Sequence, residues 1–209
     1  RRLRDQSPEA WIVAEKILHR GERLPSSWPV AGTTGYDFMT VTDGLFIAAE
    51  HESNFTDFYQ YFTAEPTDYE EVLREKKYQV MDDLLGSDVN RLTELAMQVC
   101  REHRRYRDYG RDEVGNALVE IIASYPVYRT YVRAGLGEVN EADRKIIESV
   151  TAEARERHPE IDGELFEFLK SVLLLEYPGD AERELVMRLQ QLTGPVMAKG
   201  AEDSAFYTY

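Results

Sequence analysis

Residues 68–86 read DYEEVLREKKYQVMDDLLG, and their pattern decides the fold class of the chain. Asp68 stands three residues ahead of Glu71, in front of Val72, Leu73, Val80, Met81 and Leu84. An aspartate at a helix start accepts backbone N–H groups that have no partner within the helix, and a glutamate three residues on completes a capping box. The three- and four-residue spacing puts the apolar side chains on one helical face. Gly86 is expected to close this helix, because glycine takes up the left-handed conformation that ends one.

The same periodicity continues outward from this stretch. Ser87 or Asp88 is expected to start a helix with the stripe Val89, Leu92, Ala96 and Val99. Another begins near Asp112 and carries Val114, Ala117, Leu118, Ile121 and Ile122, with Tyr125 and Pro126 ending it. Val127–Val132 is rich in β-branched and aromatic residues and reads as loop or short strand. Asn140 with Asp143 opens a polar helix through Arg157, with Ile146, Ile147 and Val150 as its apolar face. Leu165, Phe166, Leu169, Val172 and Leu173 mark the next helix, and Leu185, Val186, Leu189 and Leu192 the last, with Pro178 and Gly179 between. Upstream the character differs: a β-like run, Trp11–Ala14, precedes a segment, Gly21–Gly35, in which Pro25, Pro29, Gly32 and Gly35 block a long helix.

Composition narrows the classes of function without choosing one. The 209 residues carry a formal net charge of −14, the reverse of what clustered phosphate binding needs, so no nucleic-acid partner is expected. One basic run, Arg101–Arg107 (REHRRYR), reads as the solvated end of a helix, where cations favour the macrodipole. No apolar run approaches the roughly 20 residues of a membrane helix, so no membrane partner is expected. The apolar run after RRLRDQSPEA is too short for a signal peptide, and a cytoplasmic setting is expected. Cys100 is the single cysteine, which leaves no intrachain disulfide and no thiol metal cluster. His19, His51, His103 and His158 lack metal-ligand spacing, and neither a metal nor a cofactor is expected. Gly32–Gly35 is no phosphate-binding loop, because no GK[ST] follows.

A carboxylate at the C-terminal end of an apolar strand occupies the place where β/α barrels put catalytic groups. Glu15, in WIVAEKIL, has that context, although a strand-end glutamate paired with a neighbour such as Lys16 is the commoner arrangement. The words around it are more specific. EKILHRGERLPSSWPVAGTTGYDFM, residues 15–39, resembles the maltooligosyltrehalose synthases of the α-amylase clan, whose pattern is an EKIL strand end followed by a WPVxGTTGYDF loop. REKK at 74–77, GSDVNRL at 86–92, YPVYRTYV at 125–132 and QQLTGPVMAKGAEDSAFYTY at 190–209 extend the resemblance along the chain.

The resemblance implies a mainly α chain: a helical insertion bundle over about 52–192, attached to a strand-and-loop piece of a β/α barrel over 1–50, with 193–209 returning toward the barrel. It implies an intramolecular transglycosylation that turns the reducing-end α-1,4 link of a maltooligosaccharide into an α,α-1,1 link, with maltooligosaccharides and the rest of the barrel as partners. Retention in this clan uses two carboxyl groups about 5 Å apart, one attacking the anomeric carbon and one acting as general acid and base. Glu15 matches the acid/base. The nucleophile and a stabilising aspartate fall in segments that this sequence does not contain, so the 209 residues alone are expected to be inactive. Other enzymes of the clan acting on α-glucans, or a non-catalytic helical scaffold, are the competing readings.

The same resemblance puts Tyr36 and Asp37 near the sugar, as a stacking ring and a hydroxyl-binding carboxylate. Phe206, Tyr207 and Tyr209 match an aromatic cluster that shields the intermediate from water. Lys199, with Glu202 and Asp203, would orient those rings or bind hydroxyls. Thr208 stands where the family pattern AFYRY has arginine, which removes a local charge contact.

Overall fold

The computed structural model describes residues 2–19, 21–64 and 68–209; Arg1, Arg20, Glu65, Pro66 and Thr67, with the Arg4 side chain, lie outside the description, so EKILHRG is described without its arginine. The chain is mainly helical and forms two compact units, Arg1–Pro66 and Thr67–Tyr209.

The first unit contains α1 (Arg2–Gln6), β1 (Val13–Ala14), β2 (Gly32–Thr33), α2 (Tyr36–Gly44), a 3-10 turn at Ala49–His51 and α3 (Glu52–Thr63). β1 and β2 pair in parallel, Val13 opposite Gly32 and Ala14 opposite Thr33. Parallel strands need a long crossover, and here it is the Pro- and Gly-bearing loop 15–31. Lys16, buried in this unit, ties that loop down through an ion pair of 2.6 Å to Glu22. α2 falls within the stretch expected to be strand and loop. Its reason is local: the breakers stop at Gly35, whose φ of 124° is open to glycine, and residues 36–43 contain none. Among the described residues, no apolar side chain of this unit belongs to the buried core. Trp11 is 80% exposed and Phe46 89%, and Phe55, Phe58 and Phe62, at helical spacing along α3, are all exposed.

The second unit contains α4 (Tyr69–Asp83), α5 (Gly86–Glu102), α6 (Arg111–Ala123), a 3-10 turn at Ala134–Leu136, α7 (Glu141–Arg157), α8 (Gly163–Leu173), α9 (Asp180–Met197), a π-helical segment Ala198–Ala205 and a last turn, Phe206–Thr208. α6 packs against α4, α5, α7, α8 and α9, because its apolar residues run all round it. Leu118, Ile121 and Ile122 of α6, Ile147 of α7, Leu165, Phe166 and Leu169 of α8 and Leu185 and Leu189 of α9 are essentially solvent-free. Each such side chain contributes on the order of 2 kcal/mol through area removed from water.

Capping follows the expected chemistry at α4 and α7. Asp68 accepts from the N–H groups of Glu70 and Glu71, at 2.8 and 3.2 Å, and Asn140 accepts from Asp143 N–H at 2.8 Å. Gly86 differs: it is the first residue of α5, while α4 ends when the N–H groups of Leu84 and Leu85 both reach the Val80 carbonyl. Val127–Val132 is loop. It is strapped down by Gln190, whose side chain accepts from Val132 N–H at 2.7 Å and donates to Val132 O at 3.1 Å, and by Asp143, which accepts from Tyr131 N–H at 3.0 Å. REHRRYR is more than a solvated helix end. His103 bonds the buried Glu182 at 2.7 Å, and the Tyr106 ring stacks on Phe168 with centroids 3.9 Å apart.

Candidate functional site

Glu15 immediately follows β1, and its side chain is exposed in this unit. Parallel pairing makes the C-terminal ends of both strands point the same way, and the Thr34 N–H donates to the Ala14 carbonyl at 3.0 Å. Glu15 and the GTTGYD turn therefore share one end of the two-stranded sheet. Lys16 does not neutralise Glu15 in the way a surface pair would; its described ion pair is with Glu22.

The turn beside Glu15 is built around Thr33. Its hydroxyl accepts from the Gly35 N–H at 3.0 Å and donates to a carboxylate oxygen of Asp37. That hydrogen bond is the main reason the Asp37 carboxyl lies below the usual aspartate value, helped by backbone N–H groups in the first turn of α2. Tyr36 is half-buried at the first position of α2. Asp37 is thus an exposed, ionised acceptor held in one orientation, suited to hydroxyl groups.

Lys199, Phe206, Tyr207 and Tyr209 all lie in the second unit. Phe206 and Tyr209 meet a residue that the sequence did not single out: Tyr69, the first residue of α4. Tyr69 and Phe206 stack with centroids 6.1 Å apart and planes 19° apart, and Tyr209 stands across Tyr69 at 5.3 Å and 72°. Tyr207 is 83% exposed. Lys199 pairs with Asp203 at 2.5 Å, which raises the lysine pKa, and Tyr128 donates to Glu202. Thr208 turns inward on the backbone, donating to the Ser204 and Ala205 carbonyls. Tyr69 carries no local motif of a site, and Tyr128 stands in YPVYRTYV without a role assigned from it; the fold brings both to the 198–209 segment. Among the described residues no three metal-ligating side chains gather, and no helix is long and apolar enough to cross a membrane.

No protein-family model matches the chain. A solved maltooligosyltrehalose synthase from Arthrobacter ramosus superposes on all of it with a TM-score of 0.79 at 30% sequence identity. The chain resembles one segment of the maltooligosyltrehalose synthases. A solved glycosyltrehalose synthase is similar over the whole chain too, with a TM-score of 0.68 at 26% identity. A Mycobacterium tuberculosis protein provisionally named maltooligosyl trehalose synthase is 26% identical across 96% of this chain. The chain spans about a quarter of the length of these synthases: 24% of the Arthrobacter protein, 22% of the glycosyltrehalose synthase and 23% of the Mycobacterium protein.

Proposed function

We propose that the chain is a working part of a maltooligosyltrehalose synthase, in which Glu15 is the general acid/base of an intramolecular transglycosylation. The observation that carries the reading is the shared strand end: an exposed carboxylate directly after β1, beside a turn that presents the ionised Asp37. In the reaction, Glu15 protonates the oxygen leaving the reducing-end α-1,4 link while a second carboxylate attacks the anomeric carbon. Glu15 then takes the proton from the reducing-end C1 hydroxyl as the α,α-1,1 link forms. Asp37 binds sugar hydroxyls, and Tyr36 offers a ring face.

The second carboxylate comes from a barrel segment, and the exposed apolar side chains of the first unit are the surface such a barrel covers. The 209 residues alone are therefore inactive. Incubation with maltopentaose, read by chromatography for a trehalose-ended product, tests this: turnover by the isolated chain refutes the dependence on an outside carboxylate. In an assembled synthase carrying this segment, Glu15→Gln lowers kcat by several orders of magnitude with little change in melting temperature. Near-normal kcat removes Glu15 from the mechanism, and free glucose and maltose in place of a trehalose end assign the segment to an α-glucan hydrolase of the same clan.

A further inference from the structure

The 198–209 segment has a backbone form that needs a reason. Ala198–Ala205 is π-helical, a geometry that is rare, appears mostly as single turns, and concentrates at functional sites. A π turn inserts roughly one residue relative to an α-helix, so everything after it is rotated by about 100° around the axis. The residues it carries round include Phe206, Tyr207, Thr208 and Tyr209. The rotation matters for what the rings meet: Phe206 comes parallel to Tyr69 and Tyr209 crosses it.

Burial alone does not account for the arrangement. Phe206 stays 62% exposed and Tyr209 44% exposed although both touch Tyr69, while the apolar residues between them and the bundle, Leu73, Met197, Ala201 and Ala205, are fully packed. Tyr69 itself is half-buried, its lower side on that packed cluster. Three rings thus form a partly exposed corner on a packed floor. The floor is fixed at both sides. Asp68 caps the first turn of α4, and Gly200 brings the π segment against α4, where a Cβ would stand 2.9 Å from Lys77 Cγ and 3.3 Å from its backbone.

We propose that Tyr69 is the third ring of a carbohydrate-stacking corner, contributed by the helical unit, on which a glucose residue of an α-1,4 glucan lies. A pyranose has an apolar face of C–H bonds, and their positive edges suit the negative face of an aromatic ring. A fixed corner of two near-parallel rings and one crossing ring accepts that face with no ordering of side chains on binding. Lys199 and Asp203, paired on the same π segment, are charged groups able to serve sugar hydroxyls. The proposal rests on the maltooligosaccharide reading of this chain and adds a residue and a geometry to it.

The test is saturation-transfer NMR on the 209-residue chain with maltopentaose as the probe, comparing the wild type with Tyr69→Ala, Tyr69→Phe and Phe206→Ala. Near-UV circular dichroism checks that each variant keeps its packing, and Tyr69→Leu, which fills the floor without a ring, replaces Tyr69→Ala should that variant unfold. Saturation transfer to the sugar in the wild type, reduced at least fivefold in Tyr69→Ala or Tyr69→Leu and retained in Tyr69→Phe, is the expected result. Transfer that is lost in Phe206→Ala and unchanged without the Tyr69 ring overturns the role of Tyr69 and leaves the maltooligosaccharide reading standing. No transfer to the wild type at millimolar maltopentaose overturns the corner, while the Glu15→Gln test in an assembled synthase still decides the reading it rests on.

Discussion

Gly200 lies so close to Lys77 that a Cβ on it would stand 2.9 Å from Lys77 Cγ and 3.3 Å from the backbone N and Cα of Lys77. The lysine stem could shift, but the α4 backbone could not without disturbing the packing of Leu73, Met197, Ala201 and Ala205. Gly200→Ala is therefore expected to destabilise the second unit by about 1–3 kcal/mol, the usual range for overpacking a close contact. Urea unfolding followed by circular dichroism measures it. An unchanged midpoint would show that the π segment is not held against α4.

Lys77 also predicts a pH dependence. Its Nζ is buried, donates to the Ala123 and Tyr125 carbonyls at 3.0 and 2.7 Å, and burial pulls its pKa down from 10.5 to about 8. A neutral amine keeps two N–H donors, enough for both carbonyls. Between pH 8 and 10.5 the unfolded chain holds the lysine proton and the folded chain does not, so Lys77 contributes stability that rises with pH through that window, by roughly 2–3 kcal/mol, while the buried Cys100 thiol, pushed up from 9.0 to about 11, offsets that rise from about pH 9. Above pH 10 the sign reverses: burial and the Glu120 hydrogen bond push Tyr78 up to about 12, so the folded chain keeps a proton that the unfolded chain releases. Unfolding midpoints from pH 7 to 11 should pass through a broad maximum between about pH 9 and 10. In Lys77→Met the rising limb should disappear while the falling limb remains.

Gln190 carries the YPVYRTYV loop. It is 3% exposed, and its amide makes both hydrogen bonds of Val132's backbone. Gln190→Leu nearly keeps the volume and leaves a buried N–H and C=O without partners, a loss of about 2–6 kcal/mol at roughly 1–3 per unsatisfied group. A smaller loss would mean that water replaces the amide. Gln190→Glu is the sharper comparison, since a carboxylate still accepts from Val132 N–H but faces Val132 O without a donor.

These residues mark how far the sequence could be read. The helices of the second unit were legible because their apolar residues recur at helical spacing and because Asp68 and Asn140 bond the first-turn N–H groups as such caps do. Gly86 misled because a glycine between two helices can close one or open the next, and the Leu84 and Leu85 bonds to Val80 O decide that here. α2 was hidden by the run of breakers just ahead of it. At the candidate site, Glu15 and Asp37 stood out from the words around them, but their common strand end needed the parallel register of β1 and β2. Tyr69 and Tyr128 could not be found from local pattern, since each meets the 198–209 segment across most of the second unit's sequence.

The Thr33–Asp37 bond gives a prediction that isolates the candidate site from the stability of the bundle. Thr33 accepts from Gly35 N–H and donates to Asp37, and that donation is the largest cause of the lowered Asp37 pKa. Thr33→Val removes the donor at nearly constant shape, so the Asp37 carboxyl should titrate closer to its ordinary value, whereas Thr33→Ser should leave it low. Carboxyl-carbon NMR titration of the three proteins reads this directly. Asp37 is fully exposed, so the shift reports on the orientation of the carboxylate and carries little folding energy. Should Thr33→Val titrate like the wild type, the hydroxyl does not hold Asp37, and the turn at the shared strand end is not the fixed hydroxyl acceptor that the transglycosylation reading uses.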